Sequence, residues 1–221
     1  MKNLIKILLC AILSVSLFAG CSERSPSSQS DGRLQIVSTI FPSYDFARAI
    51  AGENADVSIL LAPGVESHSY EPTPQDIIRI QNCDLFLYTG GESDTWVDDL
   101  LASFDEPVNT VKMMDCVEVY EEELLEGMRT EESTGTQETE YDEHVWTSLR
   151  NAEKILTSVE AVLSELDPEN SEIFEKNCMS YVAGISDLDS KFTELFNSVT
   201  DKTMIFADRF PFLYFTRDYD I

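Results

Sequence analysis

The sequence predicts an α/β fold in which a mainly parallel sheet of about four strands is flanked by helices. Short apolar runs alternate with stretches of helical periodicity through the first half of the chain. One of these runs, Leu85–Tyr88, is apolar at every position, which is typical of a strand buried on both faces. Later in the chain, apolar residues recur at steps of three and four, and this spacing predicts long helices.

The N-terminus has the features of an export signal rather than of a folded element. Lys2 and Lys6 give it a positive end, and residues 7–19 form an apolar segment too short to span a bilayer. The segment Phe18-Ala19-Gly20-Cys21 resembles a bacterial lipobox, so we expect residues 1–20 to be removed and Cys21 to be lipidated. An ordinary signal peptide cut near Gly20 is the alternative. Residues 21–33 are polar and Ser-rich, which predicts a flexible tether.

About four strand-helix units are predicted to follow the tether. In a parallel sheet, ligands lie at the carboxyl ends of the strands, so we expect a site in the loops that follow them. The predicted strands are Leu34–Ser38, 57–61, Leu85–Tyr88 and 108–111, and the predicted helices are 42–51, 76–81 and a segment around Trp96.

One of the two histidines of the chain lies in a loop with strong local signals. Residues 63–76 read PGVESHSYEPTPQD, in which the prolines favour a shaped loop around His68. Thr73, Pro74 and Asp76 then have the types expected of a helix N-cap, first position and third position. His68 is therefore predicted to lie between a strand end and a helix start. A histidine at the surface with no ligand is the alternative interpretation.

Residues 118–143 interrupt the alternation of strands and helices. This segment is crowded with glutamates and contains a single basic residue, Arg129. Such a composition predicts a mostly disordered, solvated linker. A loop that gathers cations weakly is the second interpretation, because carboxylates attract cations but bind borderline metal ions weakly.

The chain after residue 148 is predicted to be helical for about 50 residues. One amphipathic helix extends from Leu149 to Leu166, and a second begins near Pro168 with a continuous apolar stripe. The second helix should contain about 30 residues and be about 45 Å long. It is either a coiled-coil partner or a rigid connection between two lobes. Residues 204–207 and 210–218 then resemble the first strand and first helix of another α/β unit.

Charge and cysteine content narrow the possible functions. The formal net charge is −26, which argues against nucleic acid and anionic lipid surfaces as partners and favours cations. Outside the export signal and Cys21, the chain has Cys83, Cys116 and Cys178, with no C-x-x-C pair. The odd number of cysteines and their spacing predict buried thiols rather than a cysteine-rich zinc site. A disulfide between Cys83 and Cys116 is the alternative prediction.

Both histidines lie in motifs that resemble those of a known family. Residues 67–76 read S-H-S-Y-E-P-T-P-Q-D, and residues 142–146 read D-E-H-V-W. These resemble the P-H-x-Y-E-P-T-P-x-D and D-E-H-x-W segments of the zinc and manganese substrate-binding lipoproteins of ABC transporters, with serine for the first proline. The resemblance implies that His68 and His144 are metal ligands and that the second long helix joins two lobes.

The third ligand position of that family differs in this chain. Residues 212–215 fit the family's aromatic segment, and this alignment places Arg209 where the family has a histidine. Arginine stays protonated and cannot ligate a metal. Asp208 is expected to replace the histidine as a ligand, or the site lacks that arm. The family's fourth ligand, an acid late in the second lobe, would lie beyond Ile221, so we expect a C-terminally incomplete copy with exposed apolar surface.

The resemblance implies a monomeric, non-enzymatic, extracytoplasmic protein anchored to the outer face of the cytoplasmic membrane. It would bind Zn²⁺, with Mn²⁺ possible, for an ABC permease and its ATPase subunit. A metallohydrolase with Glu143 as general base, and an adhesin or structural lipoprotein without metal, are the alternatives. The expected domains are a signal peptide (1–20), the tether (21–33), a metal-binding lobe (34–148), a helical region (149–200) and the start of a second lobe (201–221).

Overall fold

The fold is built on a four-stranded, wholly parallel sheet, as predicted. The computed structural model describes residues 32–65, 67–122, 140–206 and 210–221, so the predicted signal peptide and nearly all of the tether lie outside the described residues. The strands are β1 (Leu34–Ser38), β2 (Ala55–Ile59), β3 (Leu85–Tyr88) and β4 (Thr110–Lys112). They lie in the order β2-β1-β3-β4.

The strand order creates a natural ligand-binding crevice. β1 pairs with β2 on one side and with β3 on the other, so that Ile36 is opposite both Val57 and Leu85. The chain therefore runs from β1 to β2 on one side and then crosses to β3 on the other side of β1. Ligands of open α/β sheets bind at the carboxyl end of such a switch point. The strands at the two edges are each displaced by about two residues from the prediction, a usual error for element boundaries.

Six α-helices surround or extend from the sheet in the described residues. The helix Pro74–Gln81 begins as the sequence indicates, because Thr73 Oγ1 accepts a hydrogen bond from the Asp76 amide and Asp76 accepts one from the Thr73 amide. The helices are α1 (Phe41–Ala51), α2 (Pro74–Gln81), α3 (Thr95–Ala102), α4 (Leu149–Leu166), α5 (Ser171–Ser198) and α6 (Leu213–Tyr219).

Alternate residues of the strands enter two separate cores. On β3, Leu85 and Leu87 face the larger core, whereas Phe86 and Tyr88 face the smaller one. The larger core is completed by α1, α4 and the first half of α5, and the smaller core by α2 and α3. A strand buried on both faces explains why every residue of Leu85–Tyr88 is apolar.

Helix α5 is the longest element, with 28 residues, or about 42 Å. It begins three residues later than predicted, because residues 167–170 form a turn in which the Asp167 carbonyl accepts from the Asn170 amide. Its buried side chains, Phe174 and Cys178, both lie in the first half, and Leu188 and Leu195 are exposed. Among the described residues, none of the helices combines the length and apolar character needed to cross a lipid bilayer.

The predicted strand at residues 204–207 is not formed where the structure describes it. Residues 204–206 are irregular, and the side chain of Ile205 is 93% exposed. A strand needs a hydrogen-bonded neighbour, and none of the described segments pairs with this one. Ala207 lies outside the described residues. The helix predicted at 210–218 is present as α6, and the domain boundaries stay predictions.

The two ends of the glutamate-rich segment, residues 118–143, are held together by hydrogen bonds. The Glu122 amide donates to the Glu140 carbonyl, and the Asp142 amide donates to the Tyr120 carbonyl. Residues 123–139 lie outside the described residues, so the choice between a solvated linker and a cation-gathering loop stays open. The antiparallel pairing at the base of the segment fixes the start of residues 142–146.

The three cysteines in the described part of the chain are free thiols, and the Cys83–Cys116 disulfide is not formed. Burial raises the pKa of the Cys83 thiol to about 12. Because the thiolate is the form that binds metal, a thiol with such a high pKa is a poor ligand. Cys178 is buried as predicted, whereas Cys83 and Cys116 are partly exposed.

Candidate functional site

The fold brings the two histidines together at the carboxyl end of the sheet. His68 lies in a 3₁₀ turn, Ser67–Ser69, in the loop after β2, and His144 immediately precedes a second turn, Val145–Thr147. The ring centroids are 6.2 Å apart and the ring planes are inclined by 54°. Their side chains are 19% and 22% exposed, so both rings are accessible but largely enclosed.

His144 is held by its own local sequence. Asp142 Oδ1 accepts a hydrogen bond from the His144 amide at 2.8 Å and lies 3.2 Å from His144 Nδ1. A carboxylate accepts only, so the proton of this ring bond is on Nδ1 and the lone pair is on Nε2. The Asp142 carbonyl in turn accepts from the Tyr214 hydroxyl at 2.6 Å, which connects this arm to α6.

His68 is held by residues distant in sequence. Its Nδ1 lies 3.1 Å from Ser93 Oγ, on the turn after β3. Ser93 Oγ also donates to Glu143 Oε1 at 2.5 Å, and the Ser93 amide donates to Glu143 Oε2 at 2.9 Å. Glu143 adjoins His144 in the chain, so a single hydroxyl connects the two arms.

Three of these side chains form a cluster that fits one metal ion. His68, Glu143 and His144 each offer a nitrogen or oxygen atom, and these atoms lie within 4.8 Å of one another. Zinc–imidazole bonds are about 2.0–2.1 Å long, so the two histidines can converge on one ion after small side-chain movements, with Glu143 beside them. Both predicted histidines belong to the cluster. Asp208 and Arg209 lie outside the described residues, and the third arm stays a prediction.

Sequence reasoning missed two parts of this site. Glu143 was interpreted only as a general base of a hydrolase, although its position beside His144 indicates a role at the same site. Ser93 was not identified, because a serine close to glycines is common in turns and indicates no function. Ser93 lies 25 residues from His68 and 50 residues from Glu143 in the sequence, so no local pattern reveals its contacts with them.

The histidines lie between two clefts of different character. One, of about 610 Å³, contains His144 but is otherwise lined mainly by apolar residues of the loops after β1 and β2. The other, of about 410 Å³, contains both histidines and several carboxylates. Burial and the neighbouring charges of Asp142 and Glu140 raise the pKa of Glu122 on its wall. The smaller cleft has the negative potential and the donor atoms that a cation requires.

The turn after β3 is shaped to admit Glu143. Gly91 has φ +95°, and a Cβ atom there would lie 2.7 Å from Cβ of Glu143. Asp94 fixes the same turn by accepting hydrogen bonds from the amides of Thr89 and Gly90 at 2.7 and 3.1 Å. Burial, with the charge of Glu143 as a further contribution, raises the pKa of Asp94 to about 6.

Comparison with known proteins identifies the family. A family model described as ZnuA, the periplasmic component A of a zinc-uptake complex, matches residues 36–221. The chain belongs to this family. The family resemblance inferred from the two histidine motifs is therefore confirmed.

Two curated relatives illustrate the similarity to other members of the ZnuA family. The zinc-binding lipoprotein AdcA of Streptococcus pneumoniae is 33% identical over 219 residues, which cover 98% of this chain and 42% of AdcA. The high-affinity zinc uptake system protein ZnuA of Bacillus subtilis is 33% identical over 212 residues, which cover 93% of this chain and 65% of that protein. The chain thus spans less than two thirds of the length of either relative.

Solved structures of ZnuA-like proteins agree with the observed fold. Zn(II)-bound AdcA from Streptococcus pneumoniae matches with a TM-score of 0.71 and 32% identity, over 85% of this chain and 38% of that one. The metal-dependent lipoprotein YcdH from Bacillus subtilis matches with a TM-score of 0.72 and 29% identity, over 85% and 64% of the two chains. The predicted fold class is confirmed.

Proposed function

We propose that this chain is the zinc-binding component of a metal uptake system and binds one ion between His68 and His144. The observation that supports this most strongly is the convergence of the two histidines and Glu143 within 4.8 Å. The chain contains no other histidine, so the fold has gathered every imidazole at one point. The relatives named for zinc binding and zinc uptake support the same metal.

The donor types favour zinc and exclude metals that require sulfur ligands. Two imidazole nitrogens and a carboxylate oxygen suit Zn²⁺ and also Mn²⁺, whereas Cu⁺ prefers thiolate or thioether donors. Within the described residues, the free cysteines are not members of the cluster. Zinc usually takes four ligands, and we propose Asp208 as the oxygen ligand.

The proposed activity is binding and delivery, without chemical change to the cargo. The acidic cleft attracts the ion, the imidazoles bind it, and the loaded protein transfers it to an ABC permease driven by its ATPase subunit. A lipid on Cys21 would keep the monomeric protein at the outer face of the cytoplasmic membrane. The relatives support an extracytoplasmic location, since they are named as a lipoprotein and as a periplasmic component.

The contacts of Glu143 do not support the hydrolase alternative. A general base needs a carboxylate directed at a water or substrate. Both oxygens of Glu143 instead accept hydrogen bonds from Ser93, and the side chain is only 7% exposed. The named relatives are uptake and binding proteins.

Native mass spectrometry of the purified chain tests the proposal. After removal of metals and addition of excess Zn²⁺, we expect one bound ion per chain, and we expect His68→Ala and His144→Ala each to lose it. Ser103→Ala, which removes an exposed hydroxyl that donates to the Leu100 carbonyl, serves as the matched control and should retain the ion. Absence of bound zinc in the unmodified chain, or retention of zinc by both histidine variants, would contradict the proposal.

A further inference from the structure

We propose that Ser93 is a positioning residue that determines which nitrogen of His68 binds the ion, by connecting His68 to the charge of Glu143. This inference rests on the proposed function, because it assigns the origin of the ligand geometry at the same site. Either nitrogen of a neutral imidazole can carry the proton, and the other nitrogen then binds the metal. The tautomer of His68 must therefore be set by its surroundings.

The hydrogen bonds of Ser93 determine which group donates between Ser93 and His68. A serine hydroxyl has a single proton to donate. That proton is used in the 2.5 Å bond to Glu143 Oε1, because an ionised carboxylate can only accept. In the 3.1 Å contact with His68 Nδ1, Ser93 Oγ must then be the acceptor. Nδ1 of His68 consequently carries a proton, so in the neutral ring Nε2 is the nitrogen that has a lone pair for a metal.

Burial makes this arrangement stable. Ser93 is 9% exposed and Glu143 is 5% exposed, so water competes weakly for their hydrogen bonds. The Ser93 amide donates to the second oxygen of Glu143 at 2.9 Å, so the carboxylate is held at both oxygens. His68 cannot contact the carboxylate as closely, since its Nδ1 lies 3.8 Å from Glu143 Oε1. The hydroxyl therefore bridges a distance that the imidazole does not span.

The bridge through Ser93 should affect metal binding by His68 in the same way as a direct contact between a carboxylate and the imidazole. Groups that hold the non-ligating nitrogen of a metal-binding histidine fix its ring and increase its basicity, and their loss typically weakens metal affinity about 10- to 100-fold. His144 has such a contact with Asp142 directly. His68 obtains it through Ser93.

The first test is the tautomer of each histidine in the metal-free protein. The chain has two histidines, so nitrogen-15 labelling of histidine gives a spectrum of two rings. At about pH 8, where imidazole is ordinarily neutral, we expect His68 to show a protonated Nδ1 and an unprotonated Nε2. In Ser93→Ala, the His68 signals should move toward the other tautomer, whereas the His144 signals should not change. A proton on Nε2 of His68 in the unmodified protein would overturn the assignment, even if the variant failed to fold.

The second test is zinc affinity, measured by competition with a fluorescent chelator. Ser93→Ala should bind Zn²⁺ about 10- to 100-fold more weakly, Ser93→Thr should recover affinity by restoring a hydroxyl, and the control Ser103→Ala should match the unmodified protein. Equal affinity of Ser93→Ala and the unmodified protein would refute the role of Ser93. If the unmodified protein did not bind zinc, the proposed function would fail, while the tautomer experiment would still decide the arrangement of Ser93.

Discussion

The two histidines reach the same point by different structural routes. His144 is oriented by a residue two positions earlier in the chain, and Asp142 binds both its amide and its ring. His68 is oriented by Ser93 and, through it, by Glu143, which lie 25 and 75 residues later in the chain on other loops. The first arm is specified locally, whereas the second depends on tertiary structure. We therefore expect mutations remote from the ligands to disturb His68 more readily than His144.

The largest effect should come from removal of either ligand, because both arms bind one ion. His68→Ala and His144→Ala should each weaken Zn²⁺ binding roughly 100-fold or more, since a zinc-binding free energy of about 10–16 kcal/mol is shared among about four ligands. The double variant should lose less than the sum of the two single losses, because the ligands act as a unit. Additive losses in chelator competition would indicate that the histidines bind separate ions.

Gly91→Ala should disrupt the His68 arm without altering a ligand. The new Cβ would lie 2.7 Å from Cβ of Glu143, at a φ of +95° that side chains rarely adopt. Displacement of Glu143 should weaken zinc binding about 10- to 100-fold, as loss of a supporting contact does. Gly184→Ala on α5 is the matched control, because no heavy atom lies within 4 Å of the added Cβ. It should leave affinity unchanged and raise stability by about 0.5–1 kcal/mol. Equal zinc affinities for the two variants would contradict this description of the turn.

Tyr214→Phe should loosen the support of the His144 arm. The buried hydroxyl donates to the Asp142 carbonyl at 2.6 Å and accepts from the Tyr120 amide at 3.3 Å. Its removal leaves buried groups unsatisfied, which should lower the free energy of unfolding by about 1–3 kcal/mol. Urea denaturation measures this change, and Tyr141→Phe, at an exposed site, is the control. Because Asp142 still binds His144 locally, we expect zinc affinity to fall less than in Gly91→Ala. The opposite order would show that the His144 arm is not specified locally.

The smallest effect concerns pH and the turn that carries Ser93. Burial raises the pKa of Asp94 from 3.8 to about 6 in the folded protein. Between these values the folded state retains a proton that the unfolded state releases, so this group favours folding at low pH and the benefit is lost as pH rises through about 6. The unfolding free energy of the metal-free protein, relative to Asp94→Asn, should therefore fall by about 1–2 kcal/mol from about pH 4.5 to about pH 7. A difference that did not vary with pH would show that Asp94 is ionised throughout.

Much of the fold could be predicted because its signals are local. The apolar run Leu85–Tyr88, the capping residues Thr73 and Asp76, and the helical spacing of residues 149–166 each identify an element by themselves. The strand proposed at residues 204–207 was wrong over its described part, because a strand depends on a partner that its own sequence does not specify.

Part of the candidate site could also be predicted from local sequence. Each histidine lies in a recognisable local motif, so both were found. Ser93 was not found, because its role depends on contacts with His68 and Glu143, which lie 25 and 50 residues away in the sequence. Local chemistry identifies the ligands, and only the folded structure identifies what orients them.

The central claim is that His68 and His144 bind the same ion. Titration of the nitrogen-15 histidine-labelled protein with Zn²⁺ tests it most directly, because each ring reports its own coordination. We predict that Nε2 of both rings changes together and that the change is complete at one equivalent of zinc. A change in only one ring, or separate changes at different zinc equivalents, would contradict the claim.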